Sequence, residues 1–120
     1  MKIKSQNEYS RLRSVIVGTA INANWPTQDK EFRRMEETTL WKHTPVPSGP
    51  VEQSIIEHTE RELEGLCNIF VNHGVEVHRP GDLDYQAIDG MYGYCPRDRL
   101  LVIDDVIIDC NMRFPCRKRE

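Results

Sequence analysis

The stretch that decides the fold reads YCPRDRLLVIDDVIID and covers residues 94–109. Within it, residues 100–103 and 106–108 are two short aliphatic runs, which predict two β-strands. Asp104 and Asp105 lie between the runs as a two-residue turn, because aspartate tolerates the positive φ that such a turn requires. Both runs are nearly continuous in apolar residues, so the sequence predicts a hairpin whose strands are covered on both faces.

Pro96, Arg97 and Asp98 come immediately before the first of these strands. Pro96 cannot donate a hydrogen bond to a neighbouring strand, which suits the entrance of a strand. Arg97 and Asp98 then lie at the mouth of the strand, where polar side chains can face a cleft. The alternative is a surface ion pair at a strand end, and since such pairs are common and weak, the residue pattern alone favours it.

The chain has 120 residues, of which 38% are apolar and 29% are charged, and its formal net charge is −3. This length and composition predict one soluble domain, residues 1–120, with a modest core. The negative charge gives no general attraction for nucleic acid. No apolar run approaches the ~20 residues of a membrane span, and residues 1–6 lack the apolar region of a signal peptide. We therefore expect a cytoplasmic protein without nucleic-acid or membrane partners.

The four cysteines are Cys67, Cys95, Cys110 and Cys116. Their irregular spacing, without a CxxC pair, favours reduced thiols and does not fit a zinc site, so we expect neither a metal nor another cofactor. Cys67 falls on the buried face of a predicted helix. Cys95, beside the Pro-Arg-Asp segment, is the one cysteine to test as a nucleophile, although nothing in the sequence pairs it with a base.

Three further segments have recognisable local patterns. Residues 14–18 form a short β-branched run ending in glycine, which predicts a buried strand. Residues 29–40 are charged with apolar residues on one side, which predicts a short amphipathic helix. Residues 44–50 contain three prolines, which predict an exposed loop without regular structure.

The clearest helix covers residues 51–73, where apolar residues recur at spacings of three and four. The predicted buried face contains Val51, Ile55, Thr59, Leu63, Leu66, Cys67 and Phe70. Pro50 suits the first turn of this helix, and Gly74 is predicted as its left-handed C-cap. Residues 75–79 alternate as a strand, so helix, glycine and strand form the second half of a β-α-β unit.

Together these elements predict a single α/β domain. Its mixed sheet is expected to contain strands near residues 14–18, 75–79, 99–103 and 106–110, with the long helix packed across it. His58 and Glu62 are four residues apart on this helix and should pair at its surface. The basic, non-periodic residues 112–120 are typical of a solvated tail, with phosphate or nucleic-acid binding as the weaker alternative.

Three parts of the chain resemble one known family. They are Asn7-Glu8-Tyr9 followed by Val15-Ile16-Val17-Gly18, the helix-to-strand passage at residues 74–80, and Pro96-Arg97-Asp98 with its hairpin, which Asn111-Met112-Arg113-Phe114 follows. This arrangement resembles the glycine/inosamine-phosphate amidinotransferases over nearly the whole chain, and least over residues 19–50. The Pro-Arg-Asp hairpin is the specific part of the resemblance.

The resemblance implies the pentein fold, in which ββαβ units surround a central cavity, so the chain should form a partial pentein-like unit. It also implies amidino transfer from arginine to an amine, in which a cysteine attacks the guanidine carbon and a histidine moves protons. By motif, Asp98 matches the acidic residue that helps hold the guanidinium, and Arg97 is its neighbour. These two residues are the substrate-binding candidates, since a guanidinium prefers a planar carboxylate partner.

The sequence departs from the family at the catalytic positions. In the family, the histidine lies downstream of the hairpin and the cysteine lies near the C-terminus of a much longer chain. None of the cysteines or histidines here matches those positions, so no catalytic residue is assigned. We expect an amino-terminal amidinotransferase-like piece without catalysis of its own, acting as a binding or self-assembling module for guanidino or amino-acid ligands. The alternative is an active amidinotransferase, either completed by a missing part or partner or using Cys95.

The nearly continuous apolar hairpin also predicts a partner. One helix covers only one face of it well, and a second strand at a sheet edge offers free backbone groups to another chain. We therefore expect self-association, as a two-fold dimer, with Ile107 or Ile108 at or near the contact.

Overall fold

The computed structural model describes residues 3–120, and its elements follow one another as short strands and helices of very different length. In chain order they are β1 (Ser14–Ile16), β2 (Asn24–Trp25), α1 (Lys30–Thr38), β3 (Gly49–Pro50), α2 (Gln53–Asn72), β4 (Glu76–His78), α3 (Pro96–Arg99), β5 (Leu100–Ile103), β6 (Val106–Asp109) and a 3₁₀ turn (Pro115–Arg117). The predicted α/β class is confirmed, and every predicted strand and helix is present with somewhat shorter bounds.

The predicted β-α-β unit is formed by β1, α2 and β4. The strands β1 and β4 are parallel, with Val15 opposite Val77, and the N–H of Val17 extends the ladder by donating to the carbonyl of His78 at 3.0 Å. Parallel strands need a long crossover between them, which α2 provides while it packs against β4.

The buried face of α2 is only partly the predicted one. Its least exposed residues are Ile56, Thr59, Glu60, Leu63, Cys67 and Phe70. Ile55 and Leu66, which were expected on this face, are exposed. The apolar pattern misplaced this face because it does not include Glu60, a charged residue that is half-buried and paired with Arg79. Within residues 3–120, no helix is both long and apolar enough to span a membrane.

The two ends of α2 differ in how well they were predicted. Gly74 has φ +72°, which confirms the left-handed C-cap. Pro50 does not begin the helix: it belongs to β3, which pairs with β2, and Glu52 is the N-cap. Residues 44–50 are therefore not free of regular structure. The Arg33 guanidinium holds this loop by donating to the carbonyls of Val46 and Pro47.

The predicted helix at residues 29–40 is confirmed as α1, and it leads to the core. Asp29 is its N-cap, whose Oδ1 accepts from the N–H of Phe32 at 3.0 Å. The other oxygen of Asp29 accepts from the N–H of Cys116 at 3.1 Å. Phe32 and Cys116 form a buried cluster with Met91, so the expectation of a solvated tail is wrong for the segment at Cys116.

The predicted hairpin is confirmed as β5 and β6, and Asp104 adopts the expected positive φ, +52°. The expected cover on both faces is wrong for residues 3–120. Paired residues of one face are all 42–54% exposed, namely Leu101, Ile103, Val106 and Ile108. The turn between β5 and β6 contacts the amino-terminal segment, since the backbone of Ser5 exchanges two hydrogen bonds with that of Asp104. The radius of gyration is 16.1 Å, compared with ~14 Å for a compact chain of this length.

The strands differ from the prediction in their grouping. They form three separate two-stranded sheets in residues 3–120, β1 with β4, β2 with β3 and β5 with β6, rather than one mixed sheet. A single bridge between Thr19 and Gly93 connects the end of β1 to the segment that leads to the hairpin. The helical turn α3 lies between this segment and β5.

A close backbone approach at Gly18 gives a stability test. A Cβ added at Gly18 would clash with the backbone of Tyr94, whereas one added at Gly65 in α2 would meet open space. We expect Gly18→Ala to destabilise the fold by ~1–3 kcal/mol through overpacking. Gly65→Ala should stabilise it by ~0.5–1 kcal/mol, because alanine favours a helix interior. Urea unfolding measures both, and equal stabilities would show that the Tyr94 backbone does not lie against Gly18.

Candidate functional site

The predicted binding residue Asp98 already holds a guanidinium group. It lies on the single turn of α3, and its Oδ2 accepts from Nη2 of Arg117 at 2.8 Å. The Asp98 side chain is 48% exposed and that of Arg117 is 19% exposed. The contact therefore lies at the border between solvent and the core, where a carboxylate can exchange one cationic partner for another.

Arg117 is bound from three sides. In addition to Asp98, its Nε and Nη2 donate to the carboxylate of Glu120. Its guanidinium carbon lies 5.7 Å from the centroid of the Tyr92 ring, which is within cation–π range. The hydrogen bonds to Glu120, and then the one to Asp98, raise the pKa of Arg117. The guanidinium therefore carries its charge at every pH of interest.

The Tyr92 ring gives this guanidinium an apolar wall. Tyr92 stacks on Tyr94 with 4.1 Å between ring centroids. Burial raises the pKa of Tyr92, and the proximity of Tyr94 raises it further. The phenol is thus neutral around pH 7, and its ring face is available to a cation.

The second predicted binding residue, Arg97, lies next to Asp98 on α3 and is exposed. From the sequence, a surface ion pair between Arg97 and Asp98 was considered. In the structure, Asp98 pairs with Arg117 instead. Arg117 was overlooked because it lies in the segment that was interpreted as a solvated tail. The sequence did contain an indication that this segment is structured. Phe114 is an aromatic residue, and the proline that follows it begins the 3₁₀ turn.

Cys95, the cysteine to be tested as a nucleophile, is half-buried at the N-terminal end of α3. Burial raises the pKa of its thiol, and the negative charge of Asp98 raises it further. The thiolate is the nucleophilic form of cysteine. The surroundings of Cys95 therefore keep this thiol protonated near neutral pH, which does not favour nucleophilic catalysis.

A pocket of about 420 Å³ lies on the other side of Arg117. Its walls come from α1, the first turns of α2, the β2 region and the segment around Tyr92, and they are mainly aromatic and aliphatic. Asn24 and Glu36 contribute polar side chains to its lining, and both are buried. A pocket of this size can hold a small organic molecule.

Two further ion pairs lie outside the pocket and the contact between Asp98 and Arg117. Arg99 donates to both carboxylate oxygens of Asp109, at 2.6 and 2.7 Å, and closes the open end of the hairpin. At the carboxyl end of the parallel sheet, Glu60 accepts from Thr19 at 3.0 Å and from Arg79 at 2.7 Å. Burial alone would raise the pKa of Glu60, but hydrogen bonds, chiefly those from Ala20 and Thr19, lower it.

The remaining expectations concern the surface of α2 and metal binding. The expected pair of His58 and Glu62 is confirmed, with 3.3 Å between nitrogen and oxygen and both side chains exposed. Within residues 3–120, no group of three or more histidine, cysteine, aspartate or glutamate side chains is arranged to hold a metal ion.

Comparison with known proteins confirms the resemblance noted from the sequence. No family model matches the chain. Inosamine-phosphate amidinotransferase 1 of Streptomyces griseus is 35% identical over 124 residues, which are 96% of this chain and 36% of that protein. The mitochondrial glycine amidinotransferase of Xenopus tropicalis is also 35% identical, over 94% of this chain and 29% of its own length.

Solved structures give the same result. An inosamine-phosphate amidinotransferase from Streptomyces griseus superposes with a TM-score of 0.81 at 35% identity, over 92% of this chain and 34% of that one. An amidinotransferase of saxitoxin biosynthesis from Microseira wollei gives a TM-score of 0.71 at 27% identity, over 89% of this chain and 34% of that one. The chain thus spans about a third of the length of the relatives it matches.

The raised pKa of Cys95 predicts slow alkylation. At pH 8 we expect iodoacetamide to modify Cys95 more slowly than the half-buried Cys110, as measured by peptide mass spectrometry. Asp98→Asn removes a negative charge beside the thiol, lowers its pKa and should accelerate the reaction at Cys95 at least ~2-fold. Asp105→Asn removes the same charge at the exposed hairpin turn and is the control. An unchanged rate in Asp98→Asn would show that Asp98 does not act on this thiol.

Proposed function

Because the chain is homologous to about a third of the inosamine-phosphate and glycine amidinotransferases, we propose that it is a guanidinium-binding module of that family without catalysis of its own. Asp98 is its binding residue, with Arg97 beside it. The observation that carries the proposal is the contact between Asp98 and Arg117, 2.8 Å long and backed by an aromatic ring. A free guanidino compound would replace the Arg117 guanidinium on Asp98.

The chemistry of this contact supports a guanidino ligand. A guanidinium is planar, permanently charged and weakly hydrated, so it binds well where a carboxylate and an aromatic face lie together. Asp98 supplies the carboxylate and Tyr92 the ring face. Since Asp98 is about half exposed, a ligand can approach it from solvent. In the parent chain, Arg117 competes for the same carboxylate and lowers the affinity for any free ligand.

Three of the four thiols support the absence of catalysis. Amidino transfer through a covalent intermediate requires a thiolate and a base. Cys67 and Cys116 are buried, and burial together with the charge of Asp98 raises the pKa of Cys95. The family's cysteine and histidine have no match at the corresponding positions of this chain. These thiols and the unmatched cysteine and histidine positions therefore favour a role in binding and not in turnover.

An active amidinotransferase is the alternative function. In that case the same module contributes Asp98 to a complete site, and another part of the protein or a partner supplies the nucleophile and the proton-transferring histidine. The homology over only about a third of the relatives' length favours this alternative. The two functions differ in a simple observable, because only the active enzyme releases ornithine from arginine and glycine.

Freeing Asp98 from its internal partner tests the proposal. We expect Arg117→Ala to bind L-arginine at least ~10-fold more tightly than the parent chain, as measured by calorimetry, because hydrogen bonds to a charged group contribute ~1.5–3 kcal/mol. Arg113→Ala is the matched control, since it removes an exposed cation of the same segment that lies away from Asp98. Adding Asp98→Asn to Arg117→Ala should abolish the gain.

Two outcomes would contradict this function. A gain in affinity that survives Asp98→Asn would place the ligand elsewhere, for example on Glu120, which Arg117→Ala also frees. Release of ornithine by the purified chain, lost in Cys95→Ala, would establish the active enzyme instead. Circular dichroism of each variant shows whether the fold is retained.

We also propose that the exposed hairpin face mediates self-association in a two-fold dimer. Leu101, Ile103, Val106 and Ile108 form a continuous apolar surface, because these residues are paired across β5 and β6 on one side. Ile107 lies on the opposite side, opposite Val102, which is half-buried. The exposed apolar residues beside Ile108 support it, and not Ile107, as the contact residue of this proposal. A stable interface would bury ~1,600 Å² in total.

Light scattering at micromolar concentration tests the dimer. We expect the parent chain to have the mass of two copies, and Ile108→Lys to be monomeric because a buried lysine opposes association. Ile107→Lys introduces the same charge on the opposite side of the strand and should remain dimeric. A monomeric parent chain over the whole concentration range would refute the proposal.

A further inference from the structure

The segment around Tyr92 is hydrogen-bonded at two points to the residues that follow β1. The N–H of Thr19 donates to the carbonyl of Gly93 at 3.0 Å, and the N–H of Asn24 donates to the carbonyl of Met91 at 2.7 Å. Tyr92 lies between these two anchored residues. The aromatic face of the guanidinium site is therefore placed by a segment that is distant in the sequence.

The residues that follow β1 form a close turn, residues 18–24, which we call the β1 turn. Within it, the N–H of Ala23 donates to the carbonyl of Ala20 at 3.0 Å. At its start, the backbone of Tyr94 lies against Gly18 and leaves no room for a side chain there. A shift of the β1 turn would therefore be passed to the aromatic segment that it contacts.

One carboxylate fixes the start of the β1 turn. Oε1 of Glu60, on α2, accepts from the hydroxyl of Thr19 at 3.0 Å and also from the N–H of Ala20. Its other oxygen, Oε2, accepts from Nη2 of Arg79 at 2.7 Å, directly after β4. Hydrogen bonds to an ionised group are stronger than those between neutral groups. Glu60 thus holds the β1 turn against both α2 and the end of β4.

The ion pair with Arg79 alone does not account for the arrangement of Glu60. Arg79 occupies one oxygen, and the other oxygen is directed at two donors of the β1 turn. Glu64 provides a comparison, because it lies one turn further along α2 and its carboxylate is 3.9 Å from the same guanidinium. Within residues 3–120, Glu64 makes no hydrogen bond to the β1 turn.

We propose that Glu60 is a positioning residue of the guanidinium site. Glu60 holds the β1 turn, the β1 turn holds the backbone around Tyr92, and the ring of Tyr92 is the face on which a guanidinium packs. In the parent chain this guanidinium belongs to Arg117, whose Cζ lies 5.7 Å from the ring centroid. For a free ligand, the role of Glu60 rests on the function proposed for Asp98, whereas the contact with Arg117 exists without a ligand.

NMR spectroscopy without a ligand tests this positioning. The ring current of Tyr92 shifts the proton resonance of the Arg117 Nε–H, and Tyr92→Leu gives the value without the ring. We expect Glu60→Ala to move this resonance toward the Tyr92→Leu value. Thr19→Val removes one donor to Glu60 while it keeps the shape of the side chain, and it should cause a smaller change in the same direction.

Two matched variants are the controls. Thr19→Ser retains the hydroxyl and should keep the parent resonance of Arg117. Glu64→Ala removes a carboxylate near Arg79 without touching the β1 turn, and it should also leave the resonance unchanged. Since Thr19→Val leaves the ion pair of Glu60 in place, the test does not depend on whether Glu60→Ala folds.

Calorimetry with L-arginine then tests the role in binding, in the Arg117→Ala background. Adding Glu60→Ala should weaken binding about 2- to 5-fold, which corresponds to the loss of a cation–π contact at a partly exposed site. Adding Glu64→Ala should leave the affinity unchanged. If Arg117→Ala itself does not bind L-arginine, the function proposed for Asp98 fails, and the NMR experiment still decides the role of Glu60.

Two NMR results would overturn the positioning role. The first is an Arg117 resonance that is the same in the parent chain, Glu60→Ala and Thr19→Val. The second is an equal change in Glu60→Ala and Glu64→Ala, which would show a general effect of removing a negative charge from α2. In the calorimetric experiment, equal affinities with and without Glu60→Ala would likewise exclude a role of Glu60 in binding.

Discussion

The two-sided hydrogen bonding of the Asp29 carboxylate is the constraint on which most of this structure depends. One oxygen caps α1 through Phe32, and the other accepts from the backbone of Cys116. Burial alone would raise the pKa of Asp29, but these hydrogen bonds lower it, so the carboxylate is ionised at neutral pH. A single charge thereby fixes where the last segment of the chain crosses the first helix.

The positions of both candidate sites follow from this crossing. Cys116 is drawn into the core with Phe32 and Met91, and the next residue, Arg117, is left between the core and α3. There it meets Asp98 on one side and lines the apolar pocket on the other. The chain therefore separates two carboxylates by environment. Asp98 is near solvent and holds a cation of the protein, whereas Glu36 is buried and has no such partner among residues 3–120.

The sequence could predict what depends on neighbouring residues. The helices at α1 and α2, the C-cap at Gly74 and the positive φ of Asp104 all follow from local spacing and turn chemistry, and so does the hairpin. The Pro-Arg-Asp motif also led to Asp98 through the family resemblance. None of these features requires knowledge of which distant segments meet.

The features that the sequence could not predict depend on contacts between distant residues. Glu60 was not included in the predicted buried face of α2, because its partial burial is explained only by Arg79 and by backbone groups that follow β1. The segment at Cys116 was expected in solvent, because its partner Asp29 is 87 residues away. Arg117 was missed for the same reason. The burial of charged residues such as Asp29 and Glu60 depends on partners that the fold brings to them, and periodicity contains no information about those partners.

The link between Ser5 and the hairpin turn has a consequence for the order of folding. Nearly the whole chain lies between Ser5 and Asp104, and the entropy cost of closing a loop rises with its length. The hairpin itself and the helices can form from local contacts on a microsecond timescale. We therefore expect the segment at Ser5 to dock late, onto a turn that already exists. Its amide hydrogens should then exchange with solvent ahead of those in the parallel sheet.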